Sequence, residues 1–135
     1  MSKVLIMMGS QSDMERMQKA VPILDEAGVE SEVVVSSAHR DPEKTAELAR
    51  TAQERGFSVV ICGAGLSAAL PGVVAAHTKL PVIGVPLNAA LGGLDALLSV
   101  AQMPPGVPVA CVGIDNAKNA AHLALRMLNL VKQAG

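Results

Sequence analysis

VVVSSAHRDPEK, residues 33–44, reads as the end of a buried strand, a polar loop and the start of a helix. Three successive valines suit a pleated, covered surface. Asp41 before Pro42 suits a helix start, the carboxylate as N-cap and the proline in the first turn. Strand, loop and helix in that order are half of a parallel crossover unit. The same alternation extends in both directions along the chain. The apolar runs KVLIMM (3–8), SEVVVS (31–36), SVVICG (58–63), PVIGVP (81–86) and PVACVGI (108–114) are nearly continuous. Strands covered on both faces look like this, whereas half-exposed strands alternate with polar residues. Between the first two runs, Met14, Met17, Ala20, Val21, Leu24 and Ala27 recur at helical spacing over 13–27, with Gly28 as the stop. Residues 42–55 repeat the pattern and end at Gly56; 117–133 form an amphipathic helix; 67–77 and 91–101 are shorter, Ala- and Leu-rich helices. The pattern predicts one α/β domain over 1–135. It is a flavodoxin-like, three-layer, doubly wound domain with a five-stranded parallel sheet and right-handed crossovers.

Composition bounds what such a domain does. A chain of 135 residues is one domain in size and buries roughly two-thirds of its unfolded surface without staples. Half the residues are apolar, yet there is one Phe and no Trp or Tyr, so the core is aliphatic and rich in alanine. Small core residues bury little area each, and further burial between subunits is expected, hence a homo-oligomer. A net charge of −1, with no basic run and no aromatic platform, argues against nucleic-acid binding. No segment approaches the ~18 uninterrupted apolar residues of a membrane span. The amino terminus leads straight into a strand and not into a signal peptide, so the expected location is cytoplasmic. Cys62 and Cys111 both sit in strand-like runs and read as reduced and buried; two lone, distant cysteines lack metal-site spacing, and no metal is expected.

In an open parallel sheet, ligands bind beyond the carboxyl ends of the strands. The loops there are GSQSD (9–13), SSAHRD (36–41), GAGLSAALPG (63–72) and PLNAALGGLD (86–95). They concentrate hydroxyls, glycines and the one His-Arg pair, while the opposite edge carries plain turns such as EAGVE and ERGFS. Gly9 permits a sharp turn, and Ser10 and Ser12 offer hydroxyls and amides near a helix start, an anion cradle. Asp13 suits a pair of sugar hydroxyls; the plain alternative is N-capping by Ser12 or Asp13. The glycine spacing matches neither a P-loop nor a dinucleotide fingerprint. Ser37, His39 and Arg40 place a hydroxyl, a titratable acid/base and a planar anion clamp in one loop. Gly63 and Gly65 leave room for a planar ligand to approach bare backbone, or serve packing alone. His77 and His122 lie on the wrong edge and on the last helix.

Taken in order, MGSQSD, SSAHRDPE, GAG…LPGVVA, PVIGVP and GLDALLSVAQMPPGVPVA resemble the N5-carboxyaminoimidazole ribonucleotide mutase family of purine biosynthesis, whose relatives include aminoimidazole ribonucleotide carboxylases that use CO2 directly. The resemblance spans essentially the whole chain. It implies a homo-octamer without metal or organic cofactor, acting on an aminoimidazole ribotide. The carboxyl group moves from the exocyclic nitrogen to a ring carbon through bound CO2. Carried onto this sequence, Gly9, Ser10, Ser12 and Asp13 would hold the ribose-phosphate side and Ser37 and Arg40 the phosphate. His39 would be the general acid/base, and Gly63, Ala64, Gly65 and Leu70 would line the base pocket. The chain departs from the family wording GAGGAAHLPG at two places. Leu66 stands for a glycine, and Ala69 for a histidine that would touch the carboxylate or amine end of the substrate. Direct carboxylation, or a paralogue that binds a ribotide without turnover, are therefore the alternatives. A flavin binder lacks aromatic residues to hold its ring. The end at Gly135, short of the arm that many relatives carry, sets the expectation of a looser or smaller assembly.

Overall fold

The computed structural model describes residues 2–134, so Met1 and Gly135, the ends of the expected domain, lie outside the described residues. Strands β1 (Lys3–Met8), β2 (Glu30–Val35), β3 (Phe57–Ala64), β4 (Val82–Pro86) and β5 (Ala110–Cys111) form one parallel sheet in the order β2-β1-β3-β4-β5. This is the flavodoxin-like order, in which the direction of winding reverses between β1 and β3. Helices α1 (Met14–Met17), α2 (Ala20–Glu26), α3 (Pro42–Thr51), α4 (Leu70–His77), α5 (Leu94–Ala101) and α6 (Ala117–Ala134) complete it.

The unbroken apolar character of β1 has a direct cause. Val4 through Met8 are all 0% exposed. Alternate side chains of a strand point to opposite faces. Val4, Ile6 and Met8 join a core with Leu24 of α2 and Ala120, Ala121 and Ala124 of α6. Leu5 and Met7 join the other core, with Ala49 of α3, Val74 of α4, and Ala96 and Val100 of α5. With a helix layer on each face, no position of β1 can be polar without burying an unpaired group.

Several elements differ from their sequence reading. The helix expected over 91–101 is a 3-10 turn (Leu91–Gly93) followed by α5, with Gly92 and Gly93 at φ +64 and +87. Strand β2, read as covered on both faces, is an edge strand with Glu30 and Glu32 exposed and Val33 to Val35 half-buried. The helix expected over 13–27 is a single 3-10 turn (Gln11–Asp13), then α1, then α2. The interruption falls at Gln18 and Lys19: Pro22, in the first turn of α2, has no N–H to return to the carbonyl of Gln18. Helix α3 stops at Thr51 and not at 55; the remaining residues wind down through bonds from Arg55 N to Thr51 O (3.0 Å) and Gly56 N to Gln53 O (3.1 Å), with Gly56 at φ +93. The segment 66–69 is loop, and α4 begins only at Leu70. Strand β5 is two residues, not seven. It lies at the sheet edge behind Pro108, which cannot donate to a ladder, although Val112 N still reaches Gly84 O at 3.2 Å. Cys111 is accordingly half-buried and not buried, while Cys62 is fully buried; both are free thiols, and burial pushes each thiol pKa up.

Among the described residues, no helix is long and apolar enough to cross a membrane, and no group of three His, Cys, Asp or Glu side chains could hold a metal ion.

Candidate active site

The loops after β1, β2 and β3, with Ala89 from the loop after β4, enclose a cleft of about 300 Å³ at the carboxyl edge of the sheet. Gly9, Ser10, Ser12 and Asp13 form one wall and Ser37, His39 and Arg40 a second. The third is nonpolar: Ala38, Ala64, Gly65, Leu66, Ala68, Ala69 and Leu70. A larger depression of about 690 Å³ opens at the other edge of the sheet. Its only charged or titratable groups are Lys79 and His77, whose Nδ1 lies 2.8 Å from Val73 O. Size is a weaker guide here than chemistry, and the smaller cleft is the candidate site.

Each polar wall is built by short-range bonds. In the first, Ser10 and not Ser12 or Asp13 is the N-cap: its Oγ accepts from Ser12 N at 3.3 Å and lies 2.9 Å from Ser12 Oγ. In the second, the Ser37 hydroxyl accepts from Arg40 N (3.1 Å), and Asp41 N donates to Ser37 O (2.9 Å). Asp41 precedes α3 as expected but makes no side-chain capping bond. The anchor is Thr45, fully buried in α3, whose Oγ1 lies 2.7 Å from Ser36 Oγ and donates to Ser37 O at 3.2 Å. The serine pair is thus pinned to α3, and His39 and Arg40 project from the turn it holds. Both are exposed, and among the described residues His39 makes no hydrogen bond to the protein.

The nonpolar wall carries strain. Leu66 at φ +55 and Ala68 at φ +30 occupy the left-handed region, where a side chain is disfavoured. Gly63 is not part of any wall. It is buried, and a Cβ on it would overlap Met17 Sδ, so its missing side chain admits Met17 beneath the cleft. Of the residues expected around the base, Ala64, Gly65 and Leu70 border the cleft and Gly63 does not; packing accounts for Gly63 and applies at Gly65 too, where a Cβ would lie 2.9 Å from Ala89 Cβ.

Asp13 is 9% exposed. Burial raises its carboxyl pKa above the ordinary value, against the opposing pull of Arg16 and of the Ser10 backbone. Arg16 escaped the sequence reading, as did Asn88 and Asp115. Arg16 Nη2 donates to Asp13 Oδ1 at 3.1 Å, and its Nη1 donates to Asn88 O and to Asp115 Oδ1, both at 3.1 Å. Asn88 lay within the quoted loop 86–95 without being singled out, and for Asp115 the signal was the loop after the fifth strand, which the carboxyl-edge rule would have added to the other four; no local signal marked Arg16 on α1.

The raised pKa has a testable sign. A folded carboxyl that holds its proton more tightly than the unfolded chain costs stability when ionised. That cost sets in as pH rises above the unfolded value of about 3.8 and levels off above the folded one. The stability of Asp13→Asn relative to the unsubstituted protein should therefore improve as pH rises across the acid range. Urea midpoints at a series of pH values read this directly, and a relative stability that falls with pH would contradict the account.

Fold and cleft together define a class: a flavodoxin-like α/β protein with a small, half-polar, half-alanine cleft beyond its strands. Comparison with known proteins carries this to a family. The family model described as AIR carboxylase matches residues 3–134, and the chain belongs to that family. The N5-carboxyaminoimidazole ribonucleotide mutase of Pyrococcus abyssi is 59% identical over 131 residues, covering 96% of this chain and 75% of that protein. The protein of the same name from Saccharolobus solfataricus is 54% identical over 131 residues, 96% and 83% of the two chains. Phosphoribosylaminoimidazole carboxylase of Schizosaccharomyces pombe is 54% identical over 124 residues, 91% of this chain but 22% of that one. A crystal structure of PurE from Treponema denticola superposes with a TM-score of 0.85 at 34% identity, covering 96% of this chain and 82% of that chain. The family resemblance and the fold class read from the motifs both stand.

Proposed function

We propose that this chain is an N5-carboxyaminoimidazole ribonucleotide mutase of purine biosynthesis. The observation that carries the reading is the pairing of two polar walls, one holding Ser10, Ser12 and Asp13 and the other Ser37, His39 and Arg40, with a third of alanine and leucine. The two chemistries suit the two ends of the substrate. Arg40 and the serine hydroxyls offer charge-assisted bonds to a phosphate, and Asp13 accepts from ribose hydroxyls. The apolar wall encloses the imidazole and the carbon dioxide released from it. In the first step the bond from the exocyclic nitrogen to the carboxyl carbon breaks, the nitrogen keeps the electron pair and takes a proton, and CO2 remains in the cleft. The ring carbon then attacks CO2, and the hydrogen on that carbon leaves as a proton. His39, the cleft's imidazole, serves both proton movements. Methyl-lined walls exclude water and hold CO2 for the second step.

Direct carboxylation is the second reading. The SAHR and LPGVVA wording is more like the mutase branch, and Ala69 weakens that choice, because the histidine it replaces would touch the carboxylate or amine end of the substrate. A ribotide-binding paralogue without turnover is the third. One assay separates them. The purified protein is given N5-carboxyaminoimidazole ribonucleotide without bicarbonate, and separately aminoimidazole ribonucleotide with high bicarbonate. Turnover of the first supports the mutase; turnover of the second alone overturns it, and ribotide binding without either reaction supports the paralogue. The reading includes a cytoplasmic homo-oligomer, octameric by family resemblance. Exposed leucines along one stretch, Leu91 (78%), Leu94 (54%) and Leu98 (51%), support such an assembly.

A further inference from the structure

We propose that Arg16 is a positioning residue of the site, acting through Asp13 from outside the cleft. This rests on the mutase reading for the identity of the ligand. Arg16 does not line the cleft, whereas Asp13 does. Its guanidinium binds Oδ1 of Asp13 with one terminal nitrogen and spends the other on two acceptors from different loops, Asn88 O and Asp115 Oδ1. Asp115 is itself tied down. Its Oδ1 also accepts from Asn88 N at 2.9 Å, and its own N–H donates to Pro86 O at 2.8 Å, which sets it in the left-handed region at φ +59. One planar side chain therefore joins the loops after β1, β4 and β5, dividing its acceptors between two nitrogens held in a rigid fork, which the single nitrogen of a flexible ammonium group does not match.

The cleft needs this brace because Asp13 sits where a carboxylate is poorly solvated. Arg16 supplies the neighbouring positive charge and fixes the direction of the carboxylate while engaging only Oδ1. The other charged or titratable groups around Asp13 are few. Asp115 faces Arg16 from the loop after β5, and His39 and Arg40 line the same cleft from the loop after β2. The loops after β3 and β4 present no charged or titratable group to the cleft.

The test compares Arg16→Met, Arg16→Lys and Asp115→Asn with the unsubstituted protein, in kinetics with N5-carboxyaminoimidazole ribonucleotide over a pH series. Arg16→Met should raise KM about 10- to 100-fold, the range for losing charged hydrogen bonds, with kcat changed far less. The acid limb of kcat/KM should move to higher pH, because Asp13 loses the charge that favours its ionised form; the contribution of His39 is common to all the proteins. Arg16→Lys should return the acid limb towards its original position but recover KM only in part. Asp115→Asn, which leaves Asp13 and Arg16 in place, should raise KM by a smaller factor. A scaffolding role alone would lower stability and leave KM and the limb in place. That result, a KM within about twofold in both Arg16→Met and Asp115→Asn, overturns the proposal. If Arg16→Met does not fold, Asp115→Asn and Arg16→Lys decide on the same criteria. If the unsubstituted protein turns over no ribotide, the mutase reading fails on its own. Calorimetric Kd values for aminoimidazole ribonucleotide across the same variants then decide the role of Arg16.

Discussion

His39→Asn should lower the rate of carboxyl transfer by about 10²- to 10⁴-fold, the range a positioned general acid/base supplies, while ribotide affinity changes little. The prediction follows from what the ring does and does not touch. Asparagine keeps a polar group of similar reach but cannot exchange a proton near neutrality. Among the described residues His39 makes no hydrogen bond to the protein, so its loss should not loosen the turn that Ser37 and Thr45 hold. Arg40, Ser37 and Asp13 remain to hold the ligand. His77 is at the other edge of the sheet, and His122 lies on α6 away from the cleft, so neither can substitute. With Ala69 in the apolar wall, the cleft has one imidazole among the described residues. Steady-state rates and calorimetric binding on the same preparation check both halves. Full activity in the variant would mean that another group moves the ring-carbon proton.

Gly84→Ala should destabilise the fold by about 1–3 kcal/mol, the range for overpacking a tight core. That corresponds to a melting temperature lower by roughly 4–10 °C for a domain of this size. Gly84 is fully enclosed in β4, paired with both β3 and β5. A Cβ there would overlap Val100 Cγ1 of α5 and lie 3.1 Å from Val109 Cγ1 and 3.3 Å from Pro71 Cβ. All three neighbours are stiff side chains held by their own packing, unlike the flexible Met17 beneath Gly63. Val100→Ala in the same chain should recover a large part of the loss, a coupling that a double-mutant cycle measures. Gly113→Ala meets nothing closer than 3.8 Å and serves as the control, with an effect within about 0.5 kcal/mol. Equal melting temperatures for Gly84→Ala and the control would show that α5 can move aside.

The sheet, its five strands and the edge that gathers the chemistry were legible in the chain alone. A strand buried on both faces must be apolar at every position, and a run such as KVLIMM states this without reference to anything distant. The serines, Asp13, His39 and Arg40 were legible because polar groups concentrated after successive parallel strands have one place to meet. The break just before Pro22 was equally local and was masked by the apolar spacing around it, since periodicity is blind to a missing N–H. The remaining features depended on where the strands settled in space. Gly63 and Gly65 sit two residues apart in one motif, yet the first, inside β3, admits Met17 of α1, while the second, just past the end of β3, borders the cleft and packs against Ala89 and Leu87 of the loop after β4. Arg16 and Asp115 are 99 residues apart and meet only because β1 and the chain leaving β5 end at the same edge. Local periodicity and turn chemistry, carried by neighbouring residues, determined the fold class and the position of the cleft. Which side chains brace that cleft was decided by the tertiary structure, because an ion pair between loops exists only once the sheet has brought those loops together.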